Sequence, residues 1–442
     1  MQKISSMVRR KFLLCVFFVS SVLVCACSSV VEHDIALVPA VFVNAEGDLS
    51  KGTKPFQGIP TIATTIDGKR QFLAWYGNGD KECGKNYLMM SYADNNQWQN
   101  KVDVVVRSPY NGKVRLFDPV LWRAPDNSIY LFWAQSASKY YNQGEWSFVG
   151  DGRSNGWAQY DRRGGVWFSL CKNPHDKNPQ WSKPTRIANG VMMNKPIVLS
   201  NGKWMLPIAE FQLDCFNDFQ TLNEGAKVYI ADAGIKNVKC LNNVKIPHSP
   251  FPEHMFVEKR DGTIWLLART QPDNMLVRSH GKTPQHITYA NNGILEAFSK
   301  DGGVQFGKLK PSSIPHVGSR FHIYRLKSGR LLLVKNDADD ASWLAGKPRS
   351  AENVSHYSRE KIMVYISDDD GKTWEGGLML DSRKGVSYPD ASQDDNGNIY
   401  ICWDFSRYNE REILVAKITE ADILKKQISS KSQSAKIANK AK

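Results

Sequence analysis

A tight turn followed by a short aromatic or aliphatic strand recurs six times along this chain, and that recurrence restricts the fold more than any other feature. Asp67-Gly68 precedes Phe72-Leu73-Ala74-Trp75, and Asp126-Asn127 precedes Ile129-Tyr130-Leu131-Phe132-Trp133. Asn201-Gly202 leads into Trp204-Met205-Leu206, and Asp261-Gly262 into Ile264-Trp265-Leu266-Leu267. Ser328-Gly329 stands before Leu331-Leu332-Leu333-Val334, and Asn396-Gly397 before Ile399-Tyr400-Ile401-Cys402-Trp403. The turn glycines, or the Asn in that place, are 59, 75, 60, 67 and 68 residues apart. Asp-Gly and Asn-Gly favour tight hairpins because glycine tolerates positive φ. Strand-like stretches such as Pro119-Val120-Leu121-Trp122 also precede the turns. With 442 residues, 42% of them hydrophobic and 11% aromatic, the chain can build a large core. A two-domain sandwich does not explain one period running from residue 60 to 403. The pattern predicts an all-β fold, a six-bladed β-propeller over residues 27–424. Arg411 to Thr419 is expected to close the ring against the first blade.

A second pattern agrees. Ser367-Asp368-Asp369-Asp370-Gly371-Lys372-Thr373-Trp374 fits the Asp-box pattern Ser-x-Asp-x-Gly-x-x-Trp. Ser299 to Phe306 is a weaker copy and Ser91 to Trp98 weaker still. In such a motif the acid ties down a turn while the aromatic packs beneath it. A calcium loop is the sharper reading, but the bidentate Glu spacing of an EF-hand is missing. No metal is assigned, and neither zinc-ligand spacing nor a nucleotide-binding Gly-rich loop points to a cofactor.

The net charge of +14 sits mostly at the ends. Residues 1–26 carry +4 and residues 425–442 carry +6, neither with an acid, so the body is only mildly basic. Nucleic acid is therefore not expected as a partner. The Ser/Lys/Ala tail, 425–442, reads as a solvated, disordered end. At the other end Arg9-Arg10-Lys11 precedes an apolar run from Phe12 to Ala26, and Cys27 follows. This segment resembles a bacterial lipoprotein signal, which implies cleavage before Cys27, a lipid on its thiol and residence on the outer membrane as a monomer. The anchor would be the only contact with the membrane. Cys83, Cys171, Cys215, Cys240 and Cys402 are odd in number, so at least one stays unpaired. Cys402 alternates with Ile399 and Ile401 and reads as packing.

In a propeller the inner strand of each blade starts beside the central axis. The candidates for a shared site are thus Gln57-Gly58-Ile59-Pro60, Arg115-Leu116-Phe117-Asp118-Pro119, and Asn194-Lys195-Pro196. The later blades give Glu253-His254-Met255, Ser319-Arg320-Phe321-His322, and Ser387-Tyr388-Pro389-Asp390. A merely structural set is expected to be apolar and alike across blades. These residues are polar and different, which favours a binding site.

The Asp boxes, the six blades and the order Glu253, Arg269, Arg320, Tyr388 resemble the sialidase superfamily over roughly residues 50–420. That resemblance implies an arginine cluster on a sugar carboxylate, formed here by Arg269 and Arg320. It also implies Tyr388 as nucleophile, polarised by Glu253, and an acid/base from Asp80, Glu82 or Asp118. One feature departs from it. The family's first arginine lies in Phe-Arg-Ile-Pro, whereas this chain reads Phe56-Gln57-Gly58-Ile59-Pro60.

The residues themselves form the inventory of an acidic-sugar site. Arg115, Lys195, Arg269 and Arg320 can neutralise a carboxylate or sulfate, with Gln57 beside them. His254, His322 and Tyr388 can move protons. Trp75, Trp122, Trp133 and Trp403 could offer sugar platforms, although core packing is their ordinary role. Asp404 and Arg407 are placed to pair. Two chemistries fit an acidic oligosaccharide or polysaccharide substrate. Elimination at a terminal uronic acid, as in a lyase or dehydratase, uses cations on the carboxylate and a Tyr or His base. Hydrolysis uses Tyr388, or an activated water, at the anomeric carbon. The incomplete arginine set and the two axial histidines tip the reading to elimination, with a sialidase-like hydrolase second and a glycan-binding lipoprotein third.

Overall fold

The computed structural model describes residues 37–439 apart from 111, 113, 138, 143–144, 149–164, 211–224, 247–248, 250, 271–292, 338–343, 345–358 and 430–432. These residues form six antiparallel sheets of four or five strands around a common axis, a six-bladed β-propeller, and a separate two-stranded sheet, Lys139–Asn142 with Glu145–Phe148. Blade 1 holds Gln57–Thr64, Arg70–Gly77, Tyr87–Asp94 and Val104–Arg107, with Val41–Asn44 added on the outside. Blade 2 runs through Val114–Arg123, Ile129–Ala137, Gly165–Cys171 and Thr185–Ala188. In blade 3 the inner position is shared by the short strands Val191–Met192 and Ile197–Val198, ahead of Trp204–Glu210, Gly225–Asp232 and Lys236–Val244. Blade 4 contains Met255–Glu258, Ile264–Arg269, Ile294–Ser299 and Lys310–Pro311. Blade 5 has His322–Arg325, Leu331–Asn336, Glu360–Ser367 and Glu375–Lys384. Val386–Gln393, Ile399–Phe405, Glu412–Ile418 and Gln433–Ala438 make blade 6.

The repeated turns join the first and second strands of the blades, as their spacing predicts. Their key residues, Gly68, Asn127, Gly202, Gly262, Gly329 and Gly397, all have φ between +66° and +84°. That region excludes most side chains, and Asn127 is the one non-glycine residue type that enters it readily. Between the blades the core divides into six apolar clusters, one for each interface. Trp75 and Trp133 are fully buried there, and Trp122 and Trp403 nearly so, so none is a sugar platform. Cys402 packs in the cluster between blades 1 and 6. Cys83, Cys171, Cys240 and Cys402 are free thiols, while Cys215 and the expected signal segment with Cys27 lie outside the described residues.

Two of the three Asp boxes are built as the motif requires. Asp369 accepts hydrogen bonds from Ser367 Oγ at 2.9 Å, from the amides of Lys372 and Thr373, and from Thr373 Oγ1 at 2.6 Å. Asp301 accepts likewise from Ser299 Oγ and the Gln305 amide. In the third, Ala93 stands at the acid's place, Asp94 beside it faces Arg70 and Ser91 donates to the Lys101 carbonyl, so no Asp-box turn forms.

Ring closure differs from the expectation. Arg411 to Thr419 contributes the third strand of blade 6, Glu412–Ile418, rather than a strand of blade 1. The basic tail is also not wholly disordered, because Gln433–Ala438 pairs with Glu412–Ile418 as the outer strand of blade 6. Ile437 and Ala438 bury against blade 1 beside Val102 and Val105. A helix, Glu420–Lys425, crosses the expected boundary at 424; Thr419 caps it in a reciprocal box with Asp422.

Candidate active site

The inner strands do not run straight past the axis. In blades 1, 2 and 6 the pairing slips by a bulge between Gly58 and Thr61, Phe117 and Val120, and Ser387 and Asp390. At each bulge a residue before a proline takes positive φ: Ile59 at 56°, Asp118 at 50° and Tyr388 at 53°. Glu253, which follows Pro252 just ahead of the inner strand of blade 4, also has positive φ, at 36°. A left-handed backbone at non-glycine residues costs about 1–3 kcal/mol each, and such strain clusters at functional sites. The bulges turn Asp118 and Tyr388 out of the sheet register toward the axis.

There a cavity of about 510 Å³ opens, lined by Tyr388, Glu253, Asp118 and Arg269 among others. Tyr388 Oη donates to Glu253 Oε1 at 2.9 Å and accepts from Arg269 Nη1 at 2.9 Å. Arg269 Nη1 also reaches Glu253 Oε1 at 2.5 Å, and its Nη2 donates to the Gly318 carbonyl at 2.8 Å. Burial raises the Tyr388 phenol above its ordinary value and outweighs the pull of Arg269, so the resting hydroxyl keeps its proton. Burial also pushes the Asp118 carboxyl up to about 7, against the opposing charge of Arg115. Asp118 Oδ1 and Glu253 Oε2 are buried without a hydrogen-bond partner, which leaves acceptors in the site for a ligand.

Cations surround this group. The Arg407 guanidinium stands over the Tyr388 ring at 4.1 Å and Arg359 approaches the same ring at 5.1 Å. Arg407 Nε bonds Asp404 Oδ2 at 2.8 Å and its Nη2 bonds Ser387 Oγ at 3.0 Å, the pairing expected from sequence. Gly58 makes room for it, since a Cβ there would stand 2.6 Å from Arg407 Cδ. An arginine from blade 6 thus packs against the blade 1 backbone at Gly58. Arg359 donates to the Gly318 carbonyl at 3.1 Å, and burial together with Arg407 and Arg269 lowers its pKa. Crowded guanidiniums of this kind are relieved by an anion. Arg115 lines the cavity too, but its Nη2 is held by Glu82 and Tyr76, each at 3.0 Å. Burial raises the Glu82 pKa, yet Arg115 and Arg407 outweigh it and keep the carboxyl ionised. Asp118 is therefore better suited than Glu82 to hold a proton near neutral pH; Asp80 does not line the cavity.

The other expected site residues serve the ring instead. Arg320, nearly inaccessible, donates to the carbonyls of Met193, Pro60, Tyr388 and Pro389 at 2.7–3.3 Å. It supports the cavity floor and does not line the cavity. Lys195 gives all three ammonium donors to Asp390, the Ile62 carbonyl and the Ala391 carbonyl at 2.6–2.7 Å. His322 pairs with Asp390 at 3.1 Å, and burial lowers its pKa to about 3. His254 bonds the Lys227 carbonyl at 2.9 Å and is lowered by burial to about 4. Neither histidine lines the cavity. Gln57 is buried, with Nε2 on the carbonyls of Gly52 and Arg411 and Oε1 on Trp75. The bulged inner strands leave carbonyls facing the axis, and Arg320 and Lys195 satisfy them. Sequence reasoning missed Arg359, Tyr76, Phe251 and Tyr408 as lining residues. Only Arg407, paired beyond the last repeated strand, left a trace in the pattern.

The described residues define a six-bladed propeller with an arginine-rich cavity on the axis. The chain matches the BNR repeat-like domain over residues 70–401 and belongs to that family. Among solved structures, a protein of unknown function from Dyadobacter fermentans superposes with a TM-score of 0.53 at 15% identity, over 84% of this chain and 94% of that one. The intramolecular trans-sialidase from Ruminococcus gnavus, in complex with oseltamivir carboxylate, gives 0.55 at 12% identity over 87% and 98%. The Hadza microbial sialidase Hz136 gives 0.55 at 13% over 80% and 64%. At these identities the likeness is one of fold. No curated protein matches the chain by sequence.

Proposed function

We propose that this protein is a glycosidase that removes a terminal anionic sugar through a covalent Tyr388–glycosyl intermediate. The observation that carries the reading is the Glu253–Tyr388–Arg269 group sharing a cavity with a carboxyl, Asp118, poised near neutral pH. Arg269, Arg359 and Arg407 hold the substrate's carboxylate beside the tyrosine. Glu253 takes the phenolic proton as Tyr388 Oη attacks the anomeric carbon, and Arg269 stabilises the developing phenolate. Asp118 gives its proton to the leaving oxygen. As a carboxylate it then takes a proton from water, whose oxygen displaces Tyr388 and frees the sugar. The sialidases and trans-sialidase that share the fold are named for this kind of transfer, which supports the reading.

Elimination at a uronic acid loses its main support, because His254 and His322 are turned away from the cavity. Tyr388 itself could act as the base there, so the products must decide. Acidic oligosaccharides incubated with the protein should gain one water on cleavage, seen by mass spectrometry, with no rise in ultraviolet absorbance from an unsaturated uronate. A fluorinated acidic-sugar probe should label the peptide containing Tyr388. An unsaturated product, or labelling that survives Tyr388→Phe, overturns the proposal.

A further inference from the structure

Arg269 ends the second strand of blade 4 and Arg359 directly precedes the third strand of blade 5, yet both donate to one oxygen. The Gly318 carbonyl accepts from Arg269 Nη2 at 2.8 Å and from Arg359 Nη2 at 3.1 Å. Two like charges so near each other repel, and Arg269 is among the causes that lower the Arg359 pKa. A carbonyl dipole between them offsets that repulsion and sets how far apart the guanidiniums stand. The spacing of the two arginines therefore depends on the direction of a single backbone oxygen.

That oxygen belongs to a turn packed inside the ring. Among residues 314–320 only Gly318 is not buried. Ser319 N donates to the Val317 carbonyl at 2.6 Å, which closes a tight turn with Gly318 at its centre. The Gly318 carbonyl and the Ser319 N–H share one planar peptide and point in opposite directions. The bond that ties the amide back thus aims the carbonyl at the arginines. His316 holds the next carbonyl along, with Nε2 at 3.0 Å from the Ser319 oxygen. A carbonyl only accepts, so Nε2 carries the proton and Nδ1, buried without a hydrogen-bond partner, is bare. Phe321 meets the imidazole edge-on, with centroids 5.4 Å apart. Burial, followed by Lys335 and Arg269, holds His316 well below its ordinary pKa, so the ring stays neutral. It supplies a donor without adding a further positive charge behind the arginines.

We propose that His316 is a positioning residue for the anion-binding arginines: through the turn 317–319 it keeps the Gly318 carbonyl between Arg269 and Arg359. That these arginines hold a substrate carboxylate rests on the glycosidase reading above.

The test compares His316→Phe, which keeps a ring against Phe321 but has no donor, with His316→Gln, whose amide N–H reaches nearly the same point. Titration calorimetry measures the binding of glucuronic, galacturonic and 2-keto sugar acids and of their uncharged methyl esters. One hydrogen bond is worth about tenfold in binding. In His316→Phe the acids that bind should weaken by about that factor while their esters do not, and His316→Gln should recover most of the loss. A merely structural role would weaken acid and ester alike; that result, or no weakening, overturns the proposal. Two readouts need no ligand. Nitrogen NMR of the wild type should show His316 as the Nε2–H tautomer, a measurement that stands even if His316→Phe does not fold. A ligand-free crystal structure of His316→Phe should show the Gly318 carbonyl turned away from at least one arginine. An Nδ1–H tautomer, or a carbonyl left in place, overturns the proposal. If none of the acids binds the wild type, the glycosidase reading falls, and these two readouts still decide what His316 does.

Discussion

At the scale of single residues the decisive balance is between burial and charge at Asp118. Its carboxyl is raised to about 7, chiefly by burial, from an ordinary value near 3.8. As a general acid it must be protonated, so kcat/KM should hold below that value and fall as pH rises through it. The same shift couples to folding: the native state binds the extra proton between about pH 4 and 7, so this contribution to stability is lost across that window as pH rises. Asp118→Asn should cost about 10²–10⁴-fold in rate and abolish the descending limb. Relative to wild type its melting temperature should improve from pH 4 to pH 8. A pH profile whose limb survives the substitution assigns the acid to another group. The sequence picks out Asp118, Glu253 and Tyr388 because each stands where an inner strand begins, beside a proline, whereas Arg269, at the end of the second strand of blade 4, is picked out by the family resemblance alone. It cannot separate them from Arg320, Lys195 and His322, which occupy equivalent positions and carry the same chemistry. The difference is one of direction. Bulged backbone presents its own carbonyls to the axis, and those consume Arg320 and Lys195 before any substrate could. Arg359 escaped notice for the opposite reason, since it enters from a third strand outside the repeat.

At the scale of elements, the Asp boxes were readable because every bond they need lies within a few residues. Asp369 collects four donors between Ser367 and Thr373. Trp374 is buried in the cluster between blades 4 and 5. The degenerate copy at Ser91 to Trp98 has Ala93 at the acid's place and Asn95 at the glycine's, and the neighbouring Asp94 faces Arg70. Removing the Asp369 carboxylate strands two backbone amides and two hydroxyls, so Asp369→Ala should destabilise the protein by about 1–3 kcal/mol. Asp94→Ala, one place after the acid position of the degenerate copy, should stay within about 0.5 kcal/mol, because Asp94 is exposed and its partner lies 3.7 Å away. Paired urea melts measure both. Equal losses would mean that the bonds Asp369 forms add nothing to stability beyond an exposed carboxylate.

Over the whole molecule the open question in any ring is how the last blade meets the first. Here the outer strand of blade 6, Gln433–Ala438, comes from the basic tail and packs its Ile437 into the same cluster as Trp75 and Tyr87 of blade 1. Asp404 fastens the seam on the axial side, accepting from Ile59 N at 2.8 Å, Ser387 Oγ at 2.6 Å and Arg407 Nε. The tail looked solvated because Ser434 and Lys436 point outward and leave only alternate small or apolar residues to bury. A six-residue strand with one large apolar side chain is too weak a pattern to separate from a charged end. If the seam is as described, Ile437→Ala should cost about 2–4 kcal/mol, as for other buried aliphatic truncations. Deleting residues 430–442 should lower the melting temperature further while the β-sheet circular dichroism persists. It should also weaken activity, since the turn bearing Arg407 and Tyr408 springs from the strands that the seam holds. A deletion that melts with the full chain would show that blade 6 closes the ring with three strands.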